Sequence, residues 1–180
     1  MGLYFFPPSL KLRATFLAAQ AEYAEHDGRP DADGLTLADL TEGTLRSYVE
    51  GMAAGTFPRD GIRIGVAGTE LWWCETSEGQ PPSFVGRLTV RHDLVAANYD
   101  RGGQLWLSIR PSRRRQGLGT QLLAAALPIA AAHGITTPVV VIRTVALAPR
   151  KLAESVGGKQ VWEKSGRVAY RIESKQQVAV

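Results

Sequence analysis

The chain has 180 residues, 44% hydrophobic and 21% charged, the composition of an ordinary globular protein with enough length for one domain and a full core. Its net charge of +4 leaves room for an anionic partner, yet no apolar run approaches the roughly 20 residues needed to span a bilayer. A single cysteine, Cys74, rules out an internal disulfide and a multi-cysteine metal site, and three scattered histidines (His26, His92 and His133) lack the spacing of a ligand set, so no metal is expected.

Residues 1–8 have neither the basic region nor the long apolar stretch of a secretory signal. Phe6 also breaks the myristoylation pattern. A cytoplasmic location without membrane attachment is the resulting expectation. The apolar start up to Pro7-Pro8 reads as a first strand. Ser9 then caps a helix running to about Glu25, with Leu12, Phe16, Leu17, Ala19 and Tyr23 at helical spacing. Residues 26–34, rich in Asp, Gly and Pro, read as a loop. A second helix is expected over 36–54, its inner face formed by Leu40, Leu45, Tyr48, Val49 and Met52. After a loop containing Pro58, Asp60 and Gly61, strands are expected at 69–74 and 83–92. Within the first of these, Trp72 and Trp73 point to opposite faces, so one packs in the core and the other packs there or lines a pocket.

A strand at Leu105–Ile109 leads into a helix over 117–133 that ends at Gly134 and contains Pro128, which should kink it. A buried strand follows at 138–142. Pro149 suits the first turn of a helix ending near Gly157-Gly158. Strands at 160–163 and 168–172 form a hairpin. The tail from 174 to 180 reads as mobile. No repeat or linker divides the chain, so residues 1–180 form one domain of the α/β class with a mixed sheet.

The chemistry concentrates in Ile109-Arg110-Pro111-Ser112-Arg113-Arg114-Arg115-Gln116-Gly117-Leu118-Gly119-Thr120. A strand, a cationic glycine turn and a helix start, in that order, form a device for holding a diphosphate. Glycines admit close backbone approach, and the first helical turn presents unpaired N–H groups and a positive dipole end. The three glycines and distal acid of a dinucleotide fold are missing, as is the Gly-Lys-Ser/Thr ending of a P-loop. Charge is divided along the chain: residues 1–100 carry 8 Lys/Arg against 14 Asp/Glu (net −6), and residues 101–180 carry 13 against 3 (net +10). A basic half suits a phosphate-rich cofactor and an acidic half suits a cationic acceptor. The arginine run lacks the interleaved aromatics of a nucleic-acid surface, so no nucleic-acid partner is expected.

The pattern Arg114-x-x-Gly117-x-Gly119, preceded by Ile109-x-Pro111, resembles the acyl-CoA signature of the GNAT superfamily of N-acetyltransferases. Residues 84–92, Gly102-Gly103, Pro8-Ser9-Leu10-Lys11 and Glu154-x-x-Gly157-Gly158 resemble a subgroup of predicted acetyltransferases within it. The resemblance implies a mixed, mostly antiparallel central sheet flanked by helices. It also implies acetyl-CoA as cosubstrate and direct acetyl transfer to an amine of a small molecule or peptide. It assigns Leu107, Ser108 and Ile109 to pantetheine, and Arg114, Arg115, Gln116, Gly117, Leu118, Gly119 and Thr120 to the diphosphate. An acceptor amine that is protonated at neutral pH requires a general base, for which His92, at the end of a strand, is the candidate. Its alternative is a surface histidine that orders the loop with Asp93. The positions where the superfamily carries an Asn and an acid-donating Tyr hold Ala146 and Ala153, which leaves Tyr170 and Ser155 as replacement acids. Those alanines also favour an alternative, a non-catalytic acyl-CoA-binding or regulatory module. A homodimer is compatible with either.

Overall fold

The structure is a computed structural model describing residues 2–32, 35–55, 67–95 and 102–173. The loop of Pro58, Asp60 and Gly61, residues 96–101 and the tail lie outside the described residues. Strand β1 (Gly2–Phe6) pairs with β2 (Gly68–Thr76), β2 with β3 (Ser83–Arg91), and β3 with β4 (Leu105–Ile109), every pairing antiparallel. A second antiparallel sheet has β7 (Arg167–Arg171) between β5 (Val139–Arg143) and β6 (Lys159–Lys164). The helices are α1 (Arg13–Asp27), α2 (Glu42–Ala53), α3 (Leu118–Ala132) and α4 (Leu147–Ser155). The α/β layering and mostly antiparallel pairing match the sequence reading, with the sheet divided in two.

One isolated bridge, Gly103 to Val140, joins the sheets. Around it Gln104 N–H donates to the Val139 carbonyl at 2.7 Å, and Gln104 Oε1 accepts from Val139 N–H at 3.2 Å. Gly103 has φ +69, and a Cβ built on it would stand 2.2 Å from the Val139 oxygen, so glycine sets how closely the sheets meet. Beyond this point no ladder connects β4 to β5 among the described residues. Helix α3 closes the far side, burying Leu118, Leu122, Leu123, Ala126 and Ala130 against both sheets: Val85, Leu88, Val90 and Leu105 on one, Val140, Val168 and Tyr170 on the other. The helix runs through Pro128, which removes one N–H donor without ending it.

Helices α1 and α2 cover the opposite face of the four-stranded sheet. Phe16 stacks on Trp72 at 4.4 Å, and Leu45, Tyr48, Val49 and Met52 complete that core as their spacing requires. Trp72 and Trp73 are both core residues on opposite faces, at 0% and 4% exposure. Helix α2 starts later than expected because Asp39 accepts from Thr36 N–H at 2.7 Å and Thr36 Oγ1 at 2.6 Å. That local turn competes with helical bonding. Burial pushes the Cys74 thiol up to about 12, making it an inert core group. No helix among the described residues is long and apolar enough to cross a membrane.

Gly103→Ala is expected to cost about 2 kcal/mol or more, from the left-handed backbone and the clash with Val139. A urea titration checks it through a lowered midpoint at unchanged slope.

Candidate functional site

The chain leaves β4 through a short 3-10 turn, Pro111–Arg113, and enters α3 through two left-handed residues, Arg115 (φ 63) and Gly117 (φ 72). A left-handed arginine is uncommon because its Cβ crowds the backbone. Successive N–H groups in such turns form an anion-binding concavity. The N–H groups of residues 115–119 find no acceptor among the described residues; the next two, Thr120 and Gln121, donate to the Gly117 carbonyl at 3.1 and 3.2 Å. The turn is therefore polarised for an anion through the main chain of Arg115, Gln116, Gly117, Leu118 and Gly119. Thr120 offers only its hydroxyl.

The arginine side chains behave differently from the main chain. Arg110 is ion-paired to Glu22, whose carboxyl is held down at about 2 by that guanidinium. Arg113 makes a two-point pair with Glu75 at 2.8 and 2.9 Å. Arg114 pairs with Asp27 at 2.8 and 2.5 Å, caps the Ile109 carbonyl at 3.0 Å, and lies 5.5 Å over the Tyr23 ring. Arg115 alone of the four has no side-chain partner among the described residues. Much of the charge division between the halves of the chain is thus consumed internally, acids of the first half meeting arginines of the second.

Strand β4 supplies the rest of the site. Arg110 N–H reaches the Val85 carbonyl at 2.9 Å, and the Gln104 carbonyl accepts from Arg91 at 2.8 Å. By antiparallel alternation the even-numbered residues of β4 turn their main chain to β3, and Leu105, Leu107 and Ile109 turn theirs to the open edge facing β5. Of the residues expected at pantetheine, Leu107 and Ile109 offer main-chain groups there. Ser108 does not. Its side chain points to the α1 face, where Tyr23 donates to it at 3.2 Å and it donates to Asp31 at 2.5 Å. Asp31 is held by Arg87, a guanidinium only 1% exposed, at 2.9 and 3.0 Å. Burial is the main cause that pushes the Tyr23 phenol well above its usual value, so it stays a donor.

Sequence reading missed Tyr23, Asp31 and Arg87 as site residues. The available signal was Arg87 itself, a charge inside an otherwise apolar strand that requires a buried acidic partner. Nothing in the sequence named Asp31 as that partner, because it belongs to a loop without periodicity.

His92 is not brought to this centre. It stacks on His133 at 4.1 Å between ring centres, and Thr69 Oγ1 lies 2.9 Å from one Nε2 and 3.2 Å from the other. His133 caps the C-terminus of α3, the end away from the turn, about 22 Å along a 15-residue helix. Burial pushes the His92 imidazole below its ordinary 6.5; His133 adds to this and Asp93 opposes it. Tyr170 donates to Glu154 at 2.8 Å and accepts from Arg150 at 3.3 Å, and Ser155 donates to the Leu152 carbonyl at 2.8 Å, so each hydroxyl is engaged on α4. Ala146 precedes α4, and Ala153, on α4 itself, is buried in the core.

A model of the acetyltransferase (GNAT) family matches residues 59–153, just over half of the chain. No curated protein sequence matches it. Solved structures share the fold. RimJ of Mycobacterium smegmatis, in complex with CoA-disulfide, superposes with a TM-score of 0.68 at 16% identity over 98% of this chain and 84% of that one. A GnaT-family acetyltransferase from Bordetella pertussis gives 0.60 at 16% identity over 94% and 95%. The acetyltransferase yncA from Salmonella typhimurium, with its cofactor acetyl-CoA, gives 0.58 at 16% over 99% and 96%.

Arg115→Ala is expected to weaken acetyl-CoA binding about ten-fold, a loss of about 1.4 kcal/mol, and Arg113→Ala to weaken it less, because only the former removes an unpaired guanidinium. Calorimetry on both variants checks the ranking. The histidine pair gives a second expectation. A base weakened in the folded state is protonated first in the unfolded chain, so stability starts to be lost below about pH 6.5 and goes on falling until the folded imidazole is protonated too. Replacing His133 with Asn should shrink the drop in thermal midpoint between about pH 7.5 and about pH 5.5.

Proposed function

The chain belongs to the GNAT family of acetyltransferases, and on that premise we propose that it transfers an acetyl group from acetyl-CoA directly to an amine of a small molecule or peptide. The observation that carries this reading is the run of acceptor-less N–H groups at residues 115–119, set beside the open edge of β4. In the proposal the turn holds the diphosphate through its main chain and the α3 dipole, with Arg115 adding charge. Pantetheine lies along Leu107 and Ile109. Leu107 N–H then faces the thioester oxygen and stabilises the negative charge that develops on it. The amine attacks as its neutral form, a tetrahedral intermediate collapses, and the sulfur leaves as thiolate.

His92 is four residue positions from Leu107 along the sheet register, about 13 Å at strand spacing. That is well outside the roughly 3 Å at which a base accepts a proton directly. In this reading His92→Ala lowers the rate only a few-fold.

The second reading, a non-catalytic acyl-CoA-binding module, is favoured by Ala146 and Ala153 where a polar residue and a donor stand in the superfamily. One assay separates the two. Purified protein with acetyl-CoA and a panel of amines, amino acids and peptides is followed by thiol release. Acceptor-dependent release is expected. Acetyl-CoA binding without release under any acceptor would instead support the binding module, and absence of binding would overturn both.

A further inference from the structure

The face of β4 turned toward α1 carries a directed chain of hydroxyl groups that holding the cofactor does not require. Tyr23 donates to Ser108, and Ser108 donates to Asp31. The chain ends on Asp31, its one carboxylate and so its terminal acceptor. Arg87 grips both oxygens of that carboxylate, and its own guanidinium is fixed by the Tyr48 hydroxyl at 2.8 Å in a fully buried setting. The Asp31 side chain is 15% exposed and Ser108 is half-buried, so the end of the chain is open to solvent while its support is closed. Ser108 also directly follows Leu107. The main chain of Leu107 addresses the open edge, and the side chain of its neighbour addresses the α1 face. Ser108 Oγ therefore lies on the α1 side of the strand whose edge carries Leu107.

We propose that Ser108 and Asp31 form the proton-accepting wall of the acceptor pocket, for a primary amine that arrives as an ammonium ion. The proposal rests on the acetyl-transfer reading above. The ammonium gives one proton to Ser108 Oγ as Ser108 passes its own to Asp31. The freed lone pair forms the C–N bond to the thioester carbon. Collapse of the tetrahedral intermediate breaks the C–S bond, the second proton of the attacking nitrogen goes to the departing thiolate, and Asp31 returns its proton to water. Ser108 touches the amine and is catalytic. Arg87 and Tyr23 are positioning residues that hold the carboxylate and the hydroxyl in line.

The test compares two nucleophiles with acetyl-CoA at saturation. Putrescine is an ammonium ion at neutral pH and needs a proton acceptor; hydroxylamine is already neutral and does not. Asp31→Asn and Ser108→Ala should each lower turnover of putrescine about 100-fold more than turnover of hydroxylamine, the usual worth of general-base assistance. Ser108→Thr, which keeps the hydroxyl, should recover most of the difference. Ser108→Ala leaves the Asp31–Arg87 pair in place, so it decides the matter even where Asp31→Asn fails to fold. Equal losses for the two nucleophiles would reduce the chain to a structural role and overturn the proposal, as would full putrescine turnover by Ser108→Ala. Turnover of hydroxylamine without any by putrescine in the native protein would overturn the ammonium acceptor. Failure of both nucleophiles would sink the acetyl-transfer reading itself, a separate result.

Discussion

The structure depends on an unpaired strand edge. Strand β4 is joined to β3 along its whole length but to the second sheet only around Gly103 and Val140. Backbone N–H and C=O groups require partners, and an edge that is neither paired nor blunted is ordinarily a liability. Here α3 makes the gap permanent by packing against both sheets from one side, so they neither merge nor drift apart. The same helix delivers its N-terminus, with unaccepted N–H groups, to the mouth of the gap. In the proposed function, extended amide-bearing pantetheine lies along the open edge and the diphosphate at the helix terminus.

A second constraint is electrostatic. The arginine-rich turn is not a reservoir of free positive charge. Glu22, Asp27 and Glu75 draw Arg110, Arg114 and Arg113 into ion pairs that anchor the turn to α1 and β2. An arginine engaged in a two-point carboxylate pair holds geometry more than it attracts ligand. In the proposed function, charge recognition falls to Arg115 and the main chain takes the phosphates. Helix α1 organises both the turn and the β4 face toward it. Its Glu22 and Asp27 hold the turn, while Tyr23 and the loop residue Asp31 hold Ser108. Under the proposed function, one helix thus registers an acceptor face and a cofactor face separated by a single strand.

Much of this was legible beforehand. Strand-turn-helix order with Gly117 and Gly119 located the left-handed turn and its unaccepted N–H groups, since positive backbone angles and unpaired helical N–H groups are properties of local sequence. The hydrophobic spacing of α1 and α2 identified Phe16, Tyr23, Leu45 and Met52 as core residues. The start of α2 was misread because one side chain, Asp39, outcompeted the helix. His92 was drawn to the chemistry by residue type and strand position. Its surroundings at the far end of α3, stacked on His133, come from a residue 41 positions away in the chain.

Local sequence carried the individual elements and the left-handed turn before α3, because backbone preferences and motif spacing act over a few residues. Only the tertiary structure decided which arginine stays unpaired, which β4 residues face the gap, and that Ser108 meets Asp31 across 77 positions of sequence. Those outcomes follow from strand register and from long-range ion pairing. Each depends on which surfaces the packed core brings into contact, and neither leaves a periodic mark along the chain.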